Sequence, residues 1–265
     1  MIVLSVIAML AGLLPLPLSA GAGSVRPPAV SFNISLQGGA SDTHFDLNVT
    51  GAANQTGEFD LTLTVNQPEQ HTLRLIHVGD TVYESEDSGP FQASTDTASA
   101  LAGVSGPFSL GGLGQPNSAA LSPDCVSAQS ALRSLFQPGA LGIQSVGSEV
   151  IDGAQTDHVQ GTIDLGSALA DPQVSTAFGQ VLSACEAAAA PSTAQPALDP
   201  ALLQELPLVL GGSTLTVDAY LDQPTGLPRK FTLSLDLPVA SLQLSATGQV
   251  TPLSAPAAIA APAQP

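Results

Sequence analysis

Four histidines, two cysteines and 22 acidic side chains are the groups in this 265-residue chain with the most chemical potential. Their spacing suits none of the common catalytic plans. No Gly-x-Ser-x-Gly elbow, His-Glu-x-x-His pair, Cys-x-x-Cys pair or phosphate-cradling glycine loop occurs. His44, His71, His77 and His158 are scattered, mostly among segments that read as strands, whereas a metal site needs several such ligands to converge. Asp157 and His158 are adjacent, but neighbours on a strand point to opposite faces, so they cannot act on one atom together. Glu84, Glu86 and Asp87 have oxygens suited to Ca²⁺, yet a solvated acidic turn explains them more simply. Asn33, Asn48 and Asn54 open Asn-x-Ser/Thr triplets, which arise readily by chance in polar strands. The expectation is a protein with no catalytic set, no metal and no cofactor.

What these residues sit in is more informative. Five basic against 22 acidic residues give a net charge of −17, which leaves little to neutralise phosphates or to hold anionic headgroups. Nucleic acid is therefore excluded as a partner. Hydrophobic residues make up 44% and aromatic residues only 4%, with no Trp, so any core is large and aliphatic. Residues 1–22 read as an export signal: Ile2 to Leu18 is apolar, and Ala20-Gly21-Ala22 fits a small-x-small cleavage pattern. No Lys or Arg precedes Arg26, and a retained N-terminal anchor is the alternative. In an exported chain, the even count of Cys125 and Cys185 favours a disulfide, against two buried free thiols.

The chain reads as strands, then helices, then strands. Val30, Phe32, Ile34 and Leu36 alternate with polar residues, as do Phe45, Leu47 and Val49, and then Phe59, Leu61, Leu63 and Val65. Period two means one buried and one wet face, and the short Gly, Asn and Gln-Pro breaks make the pairs antiparallel. Thr72 to Val78 and Thr81 to Glu84 continue this meander. Residues 85–121 are rich in Ser, Gly and Pro. Ser122-Pro123-Asp124 opens a helix whose stripe is Cys125, Ala128, Leu132, Leu135 and Phe136. A strand pair follows at 145–151 and 156–165. Asp171-Pro172 then caps a helix whose apolar stripe runs Val174, Ala177, Phe178, Val181, Leu182 and Cys185. Both cysteines thus fall on apolar helical faces. A short third helix is expected after Asp199-Pro200. The last strands carry Leu215, Val217, Ala219 and Leu221, then Phe231, Leu233, Leu235 and Leu237, then Leu242 and Leu244. Residues 251–265 are rich in Ala and Pro and read as a disordered tail. The sum is an α+β domain over residues 23–250. One large antiparallel sheet has a single apolar face, and two or three short helices from mid-chain cover it.

Three stretches carry a family resemblance: the early meander ending in His77-Val78-Gly79-Asp80-Thr81-Val82-Tyr83; residues 150–164 around Asp152-Gly153; and residues 215–222 running into Gly226-Leu227-Pro228-Arg229-Lys230. In order and pattern, over roughly residues 28 to 250, the sequence resembles the LppX/LprG lipoprotein family, whose fold is akin to the LolA and LolB carriers. That resemblance implies a curved half-barrel sheet wrapped around helices on its concave apolar face. It also implies a cavity for lipid acyl chains, in a bacterial cell-envelope or secreted protein. Members carry a lipidated Cys at the start of the mature chain; this sequence has none there. On that scaffold Phe45, Leu47, Phe59, Leu61, Leu63, Leu215, Val217, Phe231 and Leu233 are expected to line the concave side of the sheet, facing Leu132, Phe136, Phe178, Val181 and Leu182 of the helices. The expected partner is a lipid or other apolar small molecule bound by a monomer. The alternative is an envelope sensor or interaction domain whose scaffold recognises a protein.

A first prediction concerns the cysteines. A Cys125–Cys185 bridge would stabilise the exported protein by roughly 4 kcal/mol on loop-entropy arithmetic. Thiol titration of protein purified from an oxidising compartment should find no free thiol; two would refute the bridge.

Overall fold

The computed structural model describes residues 25–40, 43–66, 70–94, 141–177, 179–180 and 207–263. Alternating runs become strands because each puts its apolar side chains on one face and its Thr, Ser, Asn and Asp on the other. Among the described residues eleven form: β1 (Ala29–Ala40), β2 (Thr43–Asn54), β3 (Phe59–Val65), β4 (His71–Val78), β5 (Thr81–Glu86), β6 (Gln92–Ser94), β7 (Ile143–Ile151), β8 (Ala154–Asp164), β9 (Thr214–Asp222), β10 (Pro228–Leu237) and β11 (Leu242–Leu253). All pairs are antiparallel, in the order β6-β5-β4-β3-β2-β1-β11-β10-β9-β8-β7. The sheet is open, ending at β6 and β7. Every neighbour is also a neighbour in strand sequence except one: β1 lies beside β11.

The described helices belong to the second half of the chain. Helix α1 (Leu165–Ala170) begins where the Asp164 carboxylate accepts a hydrogen bond from Ser167 N at 2.7 Å. That bond holds the Asp164 carboxyl below its ordinary pKa. The sequence reading ran the preceding strand through Leu165 and missed α1. Residues 172–177 and 179–180 are helical, with Val174 and Ala177 buried, in line with the stripe expected there. Residues 207–209 are helical as well. The α+β class and the large antiparallel sheet are as expected. The helix expected after Ser122 and both cysteines lie outside the described residues.

The sheet's apolar face is filled across strands by pairing large residues with small ones. Phe231 lies directly opposite Gly248, and a Cβ at Gly248 would stand 2.5 Å from the Phe231 ring. Gly38 receives the Phe45 ring in the same way. Glycine is required there because the ring occupies the space of its missing side chain.

The C-terminal boundary differs from expectation. Strand β11 extends to Leu253, three residues past the anticipated end, and the chain beyond it lies back on the sheet. Asn54 holds it with both ends of its amide: Ala257 N donates to Asn54 Oδ1 at 2.8 Å, and Asn54 Nδ2 donates to Ala257 O at 3.1 Å. Asn54 is only 4% exposed. Pro and Ala cannot bury enough surface to order themselves, but a buried amide elsewhere in the chain can order their backbone. Deleting residues 254–265 should therefore lower the melting temperature, because the buried Asn54 Oδ1 loses its donor, a loss of about 1–3 kcal/mol, while Nδ2 keeps its bond to Glu58. Asn54→Ala should cost a similar amount. An unchanged melting temperature in both variants would show that the contact contributes nothing.

Candidate functional site

The site is a face, and the register builds it. Directly opposed residues in antiparallel strands share a side of the sheet. Phe45 opposes Gly38; Leu47 lies between Leu36 and Val65; Leu63 between Val49 and Leu73; Leu61 between Gly51 and Leu75; Phe59 between Ala53 and His77. In the other half, Leu215 lies between Ile163 and Leu235, Val217 between Gly161 and Leu233, and Phe231 between Ala219 and Gly248. Through β1 and β11 the two halves are continuous: Leu36 faces Ala246, which faces Leu233. The nine sheet residues singled out from sequence thus lie on one face. Phe32, Val49, Leu73 and Leu75 complete it; they share the same alternation and were left off the candidate list. The five helical residues expected opposite, Leu132, Phe136, Phe178, Val181 and Leu182, lie outside the described residues.

Coverage of this face is graded. Leu215, Val217, Phe231 and Leu233 are buried in the main core, together with Ala168 of α1. Phe45, Leu47, Phe59, Leu61 and Leu63 are half-buried, as are Phe32 and Leu73, while Val49 and Leu75 among them are buried. Beyond them the face turns polar. Glu84 opposes Leu75, and Glu86 opposes Leu73. His77 stacks its ring 5.3 Å from Phe59 and approaches the Gly57 carbonyl oxygen through Nδ1 at 2.9 Å. The acidic turn considered for Ca²⁺ is divided: Glu84 and Glu86 sit in register on β5, while Asp87 accepts from Thr72 N at 2.8 Å and meets His71 Nδ1 at 3.2 Å. Those two bonds, the backbone one first, lower the Asp87 pKa.

The opposite face is mostly polar and bonded to itself, with Ile76 buried on it between Asp60 and Tyr83. His158 and Tyr220 stack at 4.3 Å, and His158 Nε2 lies 3.2 Å from Asp218 Oδ1 and Nδ1 3.6 Å from Glu149 Oε1. Burial, then the charges of Glu149 and Asp218, raise the Tyr220 phenol above its usual pKa. Asp157 points the other way, bonded to Ser148 and Gln223, so the Asp157-His158 dipeptide is split between faces. Among the described residues, no group of three metal-ligating side chains gathers. A cavity of ≈ 380 Å³ also lies on this outer side, lined by Thr50, Ala52, Asp60, Thr62, Arg74 and Ala257–Ile259. None of the candidate ligand residues lines it. Its walls include the bidentate Arg74–Asp60 pair at 3.0 and 2.7 Å and the C-terminal segment, whose docking the sequence did not reveal.

No family model matches the chain, and no curated protein matches it. Solved structures do. LprF from Mycobacterium bovis matches with TM-score 0.42 and 14% identity, over 96% of this chain and 97% of its own. The Mycobacterium tuberculosis lipoprotein LppX matches with TM-score 0.34 and 15% identity, over 89% and 93%. MucB of the Pseudomonas aeruginosa MucA/MucB complex matches with TM-score 0.30 and 14% identity, over 93% and 58%.

Graded coverage predicts graded stability effects. Leu215→Ala, in the sealed end of the face, should cost about 2–5 kcal/mol, whereas Leu61→Ala, in the half-covered end, should cost clearly less. Chemical denaturation of the two variants decides this; equal losses would mean both ends are equally packed.

Proposed function

We propose that this chain is an exported, non-enzymatic binder of a lipid or other apolar molecule, working in the cell envelope or outside it. Residues 1–22 act as its export signal, and a Cys125–Cys185 bridge ties its helices. The observation that carries the reading is the half-covered strip formed by Phe45, Leu47, Phe59, Leu61 and Leu63 on a face whose other end is sealed. A wall of this kind is aliphatic and non-directional, which suits acyl chains. They gain only from burying methylenes, about 0.8 kcal/mol each. The absence of Trp and the lack of basic residues along the strip favour a ligand whose buried part has little polarity. Glu84, Glu86 and His77 at the strip's margin give the polar end of an amphiphile somewhere to meet water.

The test is native mass spectrometry of the purified protein, with organic extraction and lipid analysis of what it carries. A co-purifying lipid should be found in the wild type. Leu63→Trp, which places an indole on the half-covered strip, should fold and lose that lipid. Val217→Trp, at a fully buried position, should instead cost about 1–3 kcal/mol by overpacking. A wild-type protein that carries no lipid and takes up none from vesicles would overturn the reading.

A further inference from the structure

The two edges of the sheet are unlike. At one end of the described sheet stands β6 (Gln92–Ser94). At the other, β7 has nine residues, Ile-Gln-Ser-Val-Gly-Ser-Glu-Val-Ile, and everything from Gln144 to Val150 is exposed. Val146 is 53% and Val150 58% exposed, two of the few large hydrophobic side chains in that state. The strand holds no Lys and no Pro, the residues that usually guard an edge. Among the described residues its one protective device is a register shift between Ser145 and Gly147, which leaves Gly147–Ile151 in continuous register.

That ladder is held rigid from behind. Thr156 Oγ1 donates to the Glu149 carbonyl oxygen at 2.9 Å, Ser148 Oγ donates to Asp157 at 3.0 Å, and the Glu149 carboxylate meets His158. A preordered strand loses little entropy when another strand is added. The surroundings also select the sign of the newcomer. Strands β7, β8 and β9 carry Glu149, Asp157, Asp164, Asp218 and Asp222 and no Lys or Arg. The nearest cations in strand order lie on β10: Arg229 is committed to Asp222 at 2.8 Å, and Lys230 stands opposite Tyr220, with β8 and β9 between it and β7. A second copy of a chain with charge −17 would bring more of the same charge to this edge.

We propose that the Gly147–Ile151 edge of β7 is a docking site for an extended segment of another protein. That segment alternates apolar residues, set beside Val150, with Lys or Arg, set beside Glu149. It joins the sheet as a twelfth strand, its backbone supplying affinity and its charge selecting it. This goes beyond apolar-ligand binding and stands without it.

The probe is a synthetic ten-residue peptide alternating Val and Lys. One control has Glu in place of Lys; a second keeps the charge but carries Pro at two central positions, so that it cannot pair. Hydrogen exchange should slow at Gly147–Ile151 when the Val/Lys peptide is added to the full-length protein. The Glu and Pro controls should bind at least tenfold more weakly. Val150→Lys, an exposed substitution, should weaken binding about tenfold with an unchanged circular dichroism spectrum, and Glu149→Gln should reduce the salt dependence. Equal binding of the Pro control would reduce the effect to net charge and overturn the proposal. So would protection elsewhere on the sheet, no protection at all, or a dimer of the protein alone that protects the same amides.

Discussion

One ladder makes this protein a single sheet. Strands β1 to β6 form one sequential meander and β7 to β11 another, and the two meet only where β1 pairs with β11, from Ala29 opposite Leu253 to Ala40 opposite Leu242. The contact joins residues more than two hundred positions apart, so its closure entropy is high in absolute terms, though it rises only slowly with loop length. A twelve-residue strand on each side offsets it. Register here does more than join. A slip of one residue would turn Phe32, Ile34 and Leu36 away from Val250, Gly248 and Ala246 and break the apolar face in two.

Where the register does shift, the outer face gains a function from it. The irregularity between Pro228 and Lys230 frees Arg229, whose Nε and Nη2 both reach Asp222 Oδ1 at 2.8 Å. Asp222 is 3% exposed, a position where an unpaired carboxylate would be costly, and Thr225 N and Oγ1 satisfy its second oxygen. The β9–β10 connection is thus closed by a fully bonded buried charge.

The strands were legible because alternation is written locally. Each apolar run from Val30 to Leu244 carries its own face assignment, and the pairing order then puts Phe45 and Phe231 on the same side. What was missed depends on partners distant in the chain or on weak local signals. Helix α1 is six residues with a glycine inside it, and its main cue is the single Asp164 cap. The docking of the C-terminal segment is decided by Asn54, 203 residues away. That amide had been noticed only as the start of a glycosylation triplet, yet in the fold it is buried and bonded at both atoms, which leaves no room for a glycan. The exposure of β7 was hidden for the opposite reason: its composition is ordinary, and only its place at the end of the strand order leaves it bare.

The outer and inner faces are complementary in how they are supported. At β8 to β10 the inner face is sealed by its own packing, so the sheet there needs little from outside. At β2 to β4 the inner face is less completely covered, with Val49 and Leu75 buried among half-buried neighbours. This is the part buttressed from behind: Arg74 clamps Asp60 across β3 and β4, and the segment after β11 is pinned by Asn54 over Thr50, Ala52 and Thr62. Support from the polar side holds these strands in place without filling the apolar side. Stability and an open apolar face need not compete in such a sheet, because the two are supplied by opposite sides of the same strands.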